Sequence, residues 1–169
     1  MPFETPDLLP QSVDVPQRFE TERFHIRPLT VEDAERDYAA VTQNRERLRG
    51  TFGPADRWPS AALTLEQNRI DVAWHQKEFQ RRDAFTYAIV DRDETVELGC
   101  LYVQPTGAPE YEAAVYFWVA ERAVNRGLTG AIETAIRTWI AETWPFQSLA
   151  YPGRDIPWSA WEPATGSQD

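Results

Sequence analysis

Residues 121–136 read ERAVNRGLTGAIETAI, a short turn bearing Arg122, Arg126 and Gly127 that runs into an amphipathic helix. Leu128, Ile132, Ala135, Ile136, Trp139 and Ile140 recur at helical spacing, so the helix that Gly127 opens packs one face on a sheet. Trp144 precedes Pro145 and is biased out of the helical region, which ends the element. The segment before the turn, EAAVYFWVA, reads as a strand. A strand-to-helix junction offers unpaired backbone N–H groups and the positive end of a helix dipole, and phosphate binds well there. Gly127 leaves the backbone bare to an approaching anion. A plain connection that happens to contain a glycine has the same composition, so the rest of the chain decides between the two readings.

Upstream, AFTYAIVD, VELGCLYVQP and EAAVYFWVA are separated by the turns DRDET and PTGAPEY. Turns this short imply an antiparallel meander. RFETERFHIRPL reads as a first strand ending at Leu29, with Phe24, Ile26 and Pro28 on one side. Thr30 caps a helix with Asp33 three residues on, and Ala34, Tyr38 and Val41 form its apolar stripe. NRERLR is a second helical piece that stops at Gly50. GTFGPADRWPSAA is a loop whose Phe52 and Trp58 either anchor it to the core or line a pocket. Thr64 and Gln67 form a capping box for a helix to about Arg82. Beyond the junction helix, SLAYP is a last short strand.

The order is strand, helix, helix, three antiparallel strands, helix, strand. That is an α+β (mixed α/β) fold class, with a mostly antiparallel central sheet flanked by helices and shortened at the C-terminus. A helix between the last two strands makes them parallel neighbours and puts the 121–136 junction at the carboxyl end of a strand, where a crevice forms. Residues 1–17, with four prolines, read as an extended arm, residues 18–152 as the domain, and residues 153–169 as a Trp- and Pro-rich tail without a period.

The 169 residues are 42% hydrophobic and include seven tryptophans, enough to bury a real core in one domain. A net charge of -10 opposes unspecific nucleic-acid binding and leans toward a cationic small molecule or a basic peptide. Cys100 is the single cysteine, so no internal disulfide forms, and its apolar strand makes it a buried thiol. His25 and His75 lie in separate elements without a cysteine nearby, so no metal is expected. No apolar run reaches the ~20 residues of a membrane span, and the N-terminus lacks a signal pattern, which reads as a cytoplasmic protein.

ETERFHIRPLTVEDAERDY, FTYAIVDRD followed by LGCLYV, and AAVYFWV leading into RAVNRGL together resemble the GNAT superfamily of acetyltransferases. The resemblance is greatest to the branch that acetylates ribosomal-protein N-termini, and it runs from about residue 18 to about 150. It implies an enzyme that moves an acetyl group from acetyl-CoA to an amine of a small molecule or a peptide N-terminus. It also implies a V between two splayed central strands that holds acetyl-CoA, with the pyrophosphate on a turn patterned Arg/Gln-x-x-Gly-x-Gly/Ala. Carried onto this chain, Arg122 takes the first position, Asn125 stands where the first glycine belongs, and Gly127 takes the last. The cofactor would then run along Phe117 and Val119 and over Arg122, Asn125, Arg126, Gly127, Leu128 and Thr129. Where that branch often carries a strand glutamate, this chain has Ala114. Glu112 and Tyr116, on the same strand face, are the remaining catalytic candidates. Tyr151 is the sole tyrosine in the stretch where the family's thiolate-protonating tyrosine often lies.

Trp58, Trp74, Tyr102 and the tail tryptophans either wall an acceptor pocket or belong to the core. The two departures, Asn125 and Ala114, keep open a GNAT-shaped binding or regulatory protein with little catalysis. The arm and tail keep open a homodimer.

Overall fold

The computed structural model describes residues 8–165, with side chains described as far as Trp161. A two-residue strand β1 (Phe19–Glu20) turns back into β2 (Phe24–Pro28), and a 3-10 turn (Val31–Asp33) leads into helix α1 (Ala34–Gln43) and the single turn α2 (Arg45–Leu48). Helix α3 (Leu65–Arg81) is followed by the meander β3 (Phe85–Asp91), β4 (Glu97–Gln104) and β5 (Ala113–Val119). The short helix α4 (Glu121–Asn125), helix α5 (Thr129–Thr143), strand β6 (Leu149–Ala150) and helix α6 (Trp158–Thr165) complete the order. The six strands lie in sequence order in one sheet, antiparallel throughout except for the parallel pair β5–β6. The α+β reading of the sequence holds.

Period-2 alternation sends successive β5 residues to opposite faces. Val115, Phe117 and Val119 join Leu128, Ile132, Ile136 and Trp139 in the core under α5. Tyr116 and Trp118 face the other way, beside Val41, Leu48, Leu63, Val72 and Cys100 under α1 and α3. The apolar stripe read for α5 is buried from Leu128 to Ile140. Thr64 caps α3, its side chain accepting from the Gln67 amide at 3.1 Å.

Asp33 does more than cap. Its carboxylate accepts the Thr30 amide at 2.9 Å, two bonds from Arg27 at 2.8 and 2.7 Å, and one from Arg36 at 2.6 Å. Burial alone would raise its pKa, but these donors outweigh burial and hold it at about 2. On the same side of the sheet Glu97 is buried with neither carboxyl oxygen partnered. Burial, then the nearby Asp37 charge, push its pKa well up.

The strand read over RFETERFHIRPL is two strands, because Thr21 turns the chain: its hydroxyl accepts the Phe24 amide at 3.1 Å and donates to the Phe24 carbonyl at 2.8 Å. The arm, described from Leu8 onward, lies across the core. Leu9 is fully buried, Arg82 donates to the carbonyls of Pro10 and Val13, and the Tyr87 hydroxyl donates to the Pro16 carbonyl at 2.6 Å. The tail, read as aperiodic, forms α6 from Trp158. The carbonyl of Pro157 accepts from the Ala160 and Trp161 amides and starts the first turn. Trp161 packs with Ala108, Ala114 and Ala150.

Candidate active site

Strands β5 and β6 pair at only two positions, Ala113 with Leu149 and Ala114 with Ala150. Beyond them β5 continues to Val119, while the other chain turns away at Tyr151–Pro152 into a bend bridged to Ile156. The sheet therefore opens into a V. A cleft of about 450 Å³ fills the gap, walled by Tyr116–Val119, by Arg47–Thr51 behind α2, by Thr129 and Glu133 of α5, and by Pro152–Arg154 with Trp158.

The Ala120 amide donates to the Leu98 carbonyl at 2.8 Å, so the even-numbered residues of β5 exchange the hydrogen bonds with β4, and Phe117 and Val119 turn their backbone N–H and C=O groups toward the V. The two carbonyls are held by guanidinium groups. Arg154 Nη2 donates to the Phe117 carbonyl at 2.9 Å, and Arg47 Nε donates to that of Val119 at 2.8 Å. Arg154 also lies 3.5 Å over the Phe117 ring. Burial of Arg154 lowers its pKa, yet an arginine stays charged at any ordinary pH. With Arg49, these residues make the cleft a cationic site in a protein of net charge -10.

At the turn, Gly127 does not open the helix; it closes α4. Its φ of 69° is left-handed, its amide donates to Val124 at 3.0 Å, and the Leu128 amide reaches back to Ala123 at 2.9 Å. This is the Schellman arrangement, which spends two amides that the sequence left free. The bare donors lie one step on. Thr129, Gly130 and Ala131 head α5 and find no partner among the described residues, and Leu128 supplies no side-chain cap. A Cβ added to Gly130 would meet nothing within 4 Å, so this helix end is open to an anion.

The two turn arginines are placed elsewhere. Arg126 pairs with Asp91 at 3.7 Å, and Arg122 lines a separate hollow between α1 and β4. Asn125 is exposed at the last turn of α4, and Leu128 is buried in the core. Of the residues assigned to the cofactor from sequence, Phe117, Val119 and Thr129 line the cleft.

Glu112 lines neither this cleft nor its neighbour. Its carboxylate accepts the amides of Gln147 at 2.6 Å and Ser148 at 3.0 Å, which lowers its pKa and clasps the turn into β6. The base role read for Glu112 is corrected on that geometry: the carboxylate is committed to a structural turn outside the cavities. Ala114 is buried in the cluster with Trp161, in the space a longer side chain would need. Tyr151 is buried beneath Arg137, 4.3 Å from its guanidinium, and is not a wall of the cleft.

A second cavity of about 660 Å³ opens on the α1–α3 face. Phe52, Trp58, Trp74, Tyr102 and Tyr116 supply rings, and Asp37, Asp56, Asp71 and His75 supply the ionisable groups. Phe52 wedges between Tyr102 and Tyr116, with centroids 4.9 and 5.3 Å away. His75 Nδ1 lies 3.3 Å from the Thr86 hydroxyl and 3.6 Å from Glu78. With a proton on Nδ1, donated to the Thr86 hydroxyl, the lone pair is on Nε2. Tyr116 belongs to both cavities. Burial raises the pKa of its hydroxyl, which keeps its proton, and the Trp158 ring stacks on it at 6.4 Å and 13°. Among the described residues no group of His, Cys, Asp and Glu is placed to hold a metal, and no helix is long and apolar enough to cross a membrane.

Arg47, Arg49, Arg154 and His75 were missed by sequence reasoning. Arg47 and Arg49 fall in the piece NRERLR, which the sequence marks only as helical, Arg154 falls in the tail, and His75 enters there only as a metal-ligand candidate.

A profile of the acetyltransferase (GNAT) domain matches residues 23–153. Among solved structures, a ribosomal-protein-S5-alanine acetyltransferase from Vibrio fischeri superposes with a TM-score of 0.63 at 20% identity, covering 87% of this chain and 79% of that one. An acetyl transferase from Salmonella typhimurium, described as modifying the N-terminal serine of ribosomal protein L7/L12, gives 0.56 at 16% identity over 74% of this chain and 68% of its own. A microcin C7 self-immunity acetyltransferase in complex with acetyl-CoA and AMP gives 0.53 at 17% identity, covering 73% and 66%. No curated protein matches the chain in a sequence search.

Proposed function

The chain belongs to the GNAT acetyltransferase family, and from that premise we propose that it transfers an acetyl group from acetyl-CoA to an amine. The observation that carries the reading is the pair of cavities that share Tyr116, one cationic and set in the V of the sheet, the other aromatic and acidic. The residues of the first fit a polyanionic co-substrate. The bare amides of Thr129–Ala131 and the guanidinium groups of Arg47, Arg49 and Arg154 would hold its phosphates. When bound, acetyl-CoA supplies an acyl group already activated as a thioester.

This chain's own residues then have definable tasks. The backbone N–H groups of Phe117 and Val119 face the V and donate to the thioester oxygen as it gains charge. His75 Nε2 takes a proton from the amine on the opposite side. The Tyr116 hydroxyl, protonated and between the two cavities, donates to the departing sulfur. Seclusion of both partners, the donor between α2, β5, α5 and α6 and the amine between α1, α3, β4 and β5, contributes orientation, which for an activated acyl donor is much of the barrier.

Titration calorimetry with acetyl-CoA and CoA tests the first half and a thiol-release assay over an amine panel tests the second. Saturable binding with amine-dependent thiol release is the expected result. No binding heat and no thermal shift at millimolar ligand would remove the reading.

A further inference from the structure

Resting on the transfer reading above, we infer that the second cavity takes a linear amine carrying at least one further positive charge, of the diamine or polyamine class. The wall chemistry carries this choice. Asp37, Asp56 and Asp71 line the cavity, and no arginine or lysine does. Asp37 is buried at the base, where it accepts from Asn68 Nδ2 at 2.9 Å. Asp71 is half-buried on α3, and Asp56 is exposed on the loop after α2.

The amine that attacks must be neutral, so these carboxylates are not all matched by the reacting nitrogen. A second ammonium on the same molecule satisfies the carboxylates that remain. Between the charges the walls are apolar. Phe52, Trp58 and Tyr102 offer ring faces, and Ile70 and Trp74 stand 58% and 57% exposed at the rim. Methylenes pack against such a surface, and an ammonium is attracted to ring faces within about 6 Å. Lys77 already illustrates the second interaction, its Nζ lying 5.7 Å from the Trp74 ring on the same helix.

A matched pair of substrates isolates the charge: 1,6-diaminohexane and hexylamine share a chain and differ in one ammonium. With the full chain and saturating acetyl-CoA, the diamine is expected to show about tenfold higher kcat/KM in thiol release. In Asp71→Asn that preference should shrink toward unity, with the melting temperature of the variant confirming the fold. Equal turnover of the two amines overturns the inference and leaves acetyl transfer standing. A peptide with a free N-terminus and a following lysine that outperforms the diamine also overturns it, in favour of a protein acceptor. Calorimetry of each amine without acetyl-CoA separates the two readings: tighter binding of the diamine supports the cavity assignment even if no thiol is released, and indistinguishable binding refutes it.

Discussion

The two cavities that meet at Tyr116 are built from opposite materials. The cleft in the V is made of backbone groups and guanidiniums: the open edge of β5, the head of α5, and Arg47, Arg49 and Arg154. The cavity across the sheet is made of rings and carboxylates. A molecule of net charge -10 thus carries a cationic cleft next to an anionic one, so net charge alone says little about either ligand. What matters is the local field, which a low-dielectric cleft concentrates. In the transfer reading proposed above the labour is divided as well: the phosphate side draws on main-chain donors together with guanidiniums, and the amine side on side chains.

The sharpest way to break that division is at His75. His75→Gln keeps a polar side chain but removes the proposed base, and kcat/KM for amine acetylation should fall about 100-fold while CoA affinity stays unchanged. An unchanged kcat/KM would move the base elsewhere.

The wall that α1 forms behind the aromatic cavity can be loosened next. Asp33 is held at about 2 against an ordinary 3.8, so its contribution is fully present above that ordinary value and is lost as pH falls from about 4 toward 2. Asp33→Asn should cost about 2 kcal/mol in urea denaturation at neutral pH and flatten the acid limb. Glu97 has the opposite sign: its pKa is raised by burial, so stability is lost as pH rises above the ordinary 4.5, and Glu97→Gln should remove that decline.

On the cationic side, Arg47→Ala should weaken CoA binding about tenfold in calorimetry, consistent with loss of one charge-assisted contact. An effect on the amine KM instead would mean that the two clefts are not separately wired. The smallest effect is at Gly130. Gly130→Ala should stabilise by about 0.5–1 kcal/mol, since the site has room and helical residues favour alanine. Gly130→Asp keeps the helix end favourable yet should weaken CoA several-fold by repulsion. If both variants bind CoA like the parent, the head of α5 is not the anion site.

The sheet was legible because its apolar runs are bounded by turns. Phe85, Tyr87 and Ile89 lie in one core and Ala88 and Val90 in the other, so both faces of β3 are buried, and β4 and β5 run where their apolar segments do. The family resemblance was legible on those strands, on the turn after them and on the opening ETERFHIRPLTVEDAERDY. The charges in the site were not. ERAVN is too short to show a period, so α4 was read as a turn, and its one helical revolution carries Arg122 away from the V and leaves Arg126 beside Asp91. Arg47 and Arg154 are 107 positions apart by their numbering and meet β5 only through topology. The aromatic wall was half legible: the sequence reads Trp58, Trp74 and Tyr102 as pocket or core, and only the fold brings Asp37 of α1 into one cavity with them.

The resting place of Leu9 bears on where this protein can be cut. The span that the family profile matches begins at residue 23 and ends at 153, leaving Leu9 outside on one side and Trp161 on the other. Both are interior packing pieces, Leu9 under the main core and Trp161 over Ala114. A fragment trimmed to that span would carry two holes in its interior, so the matched span is shorter than the unit that packs.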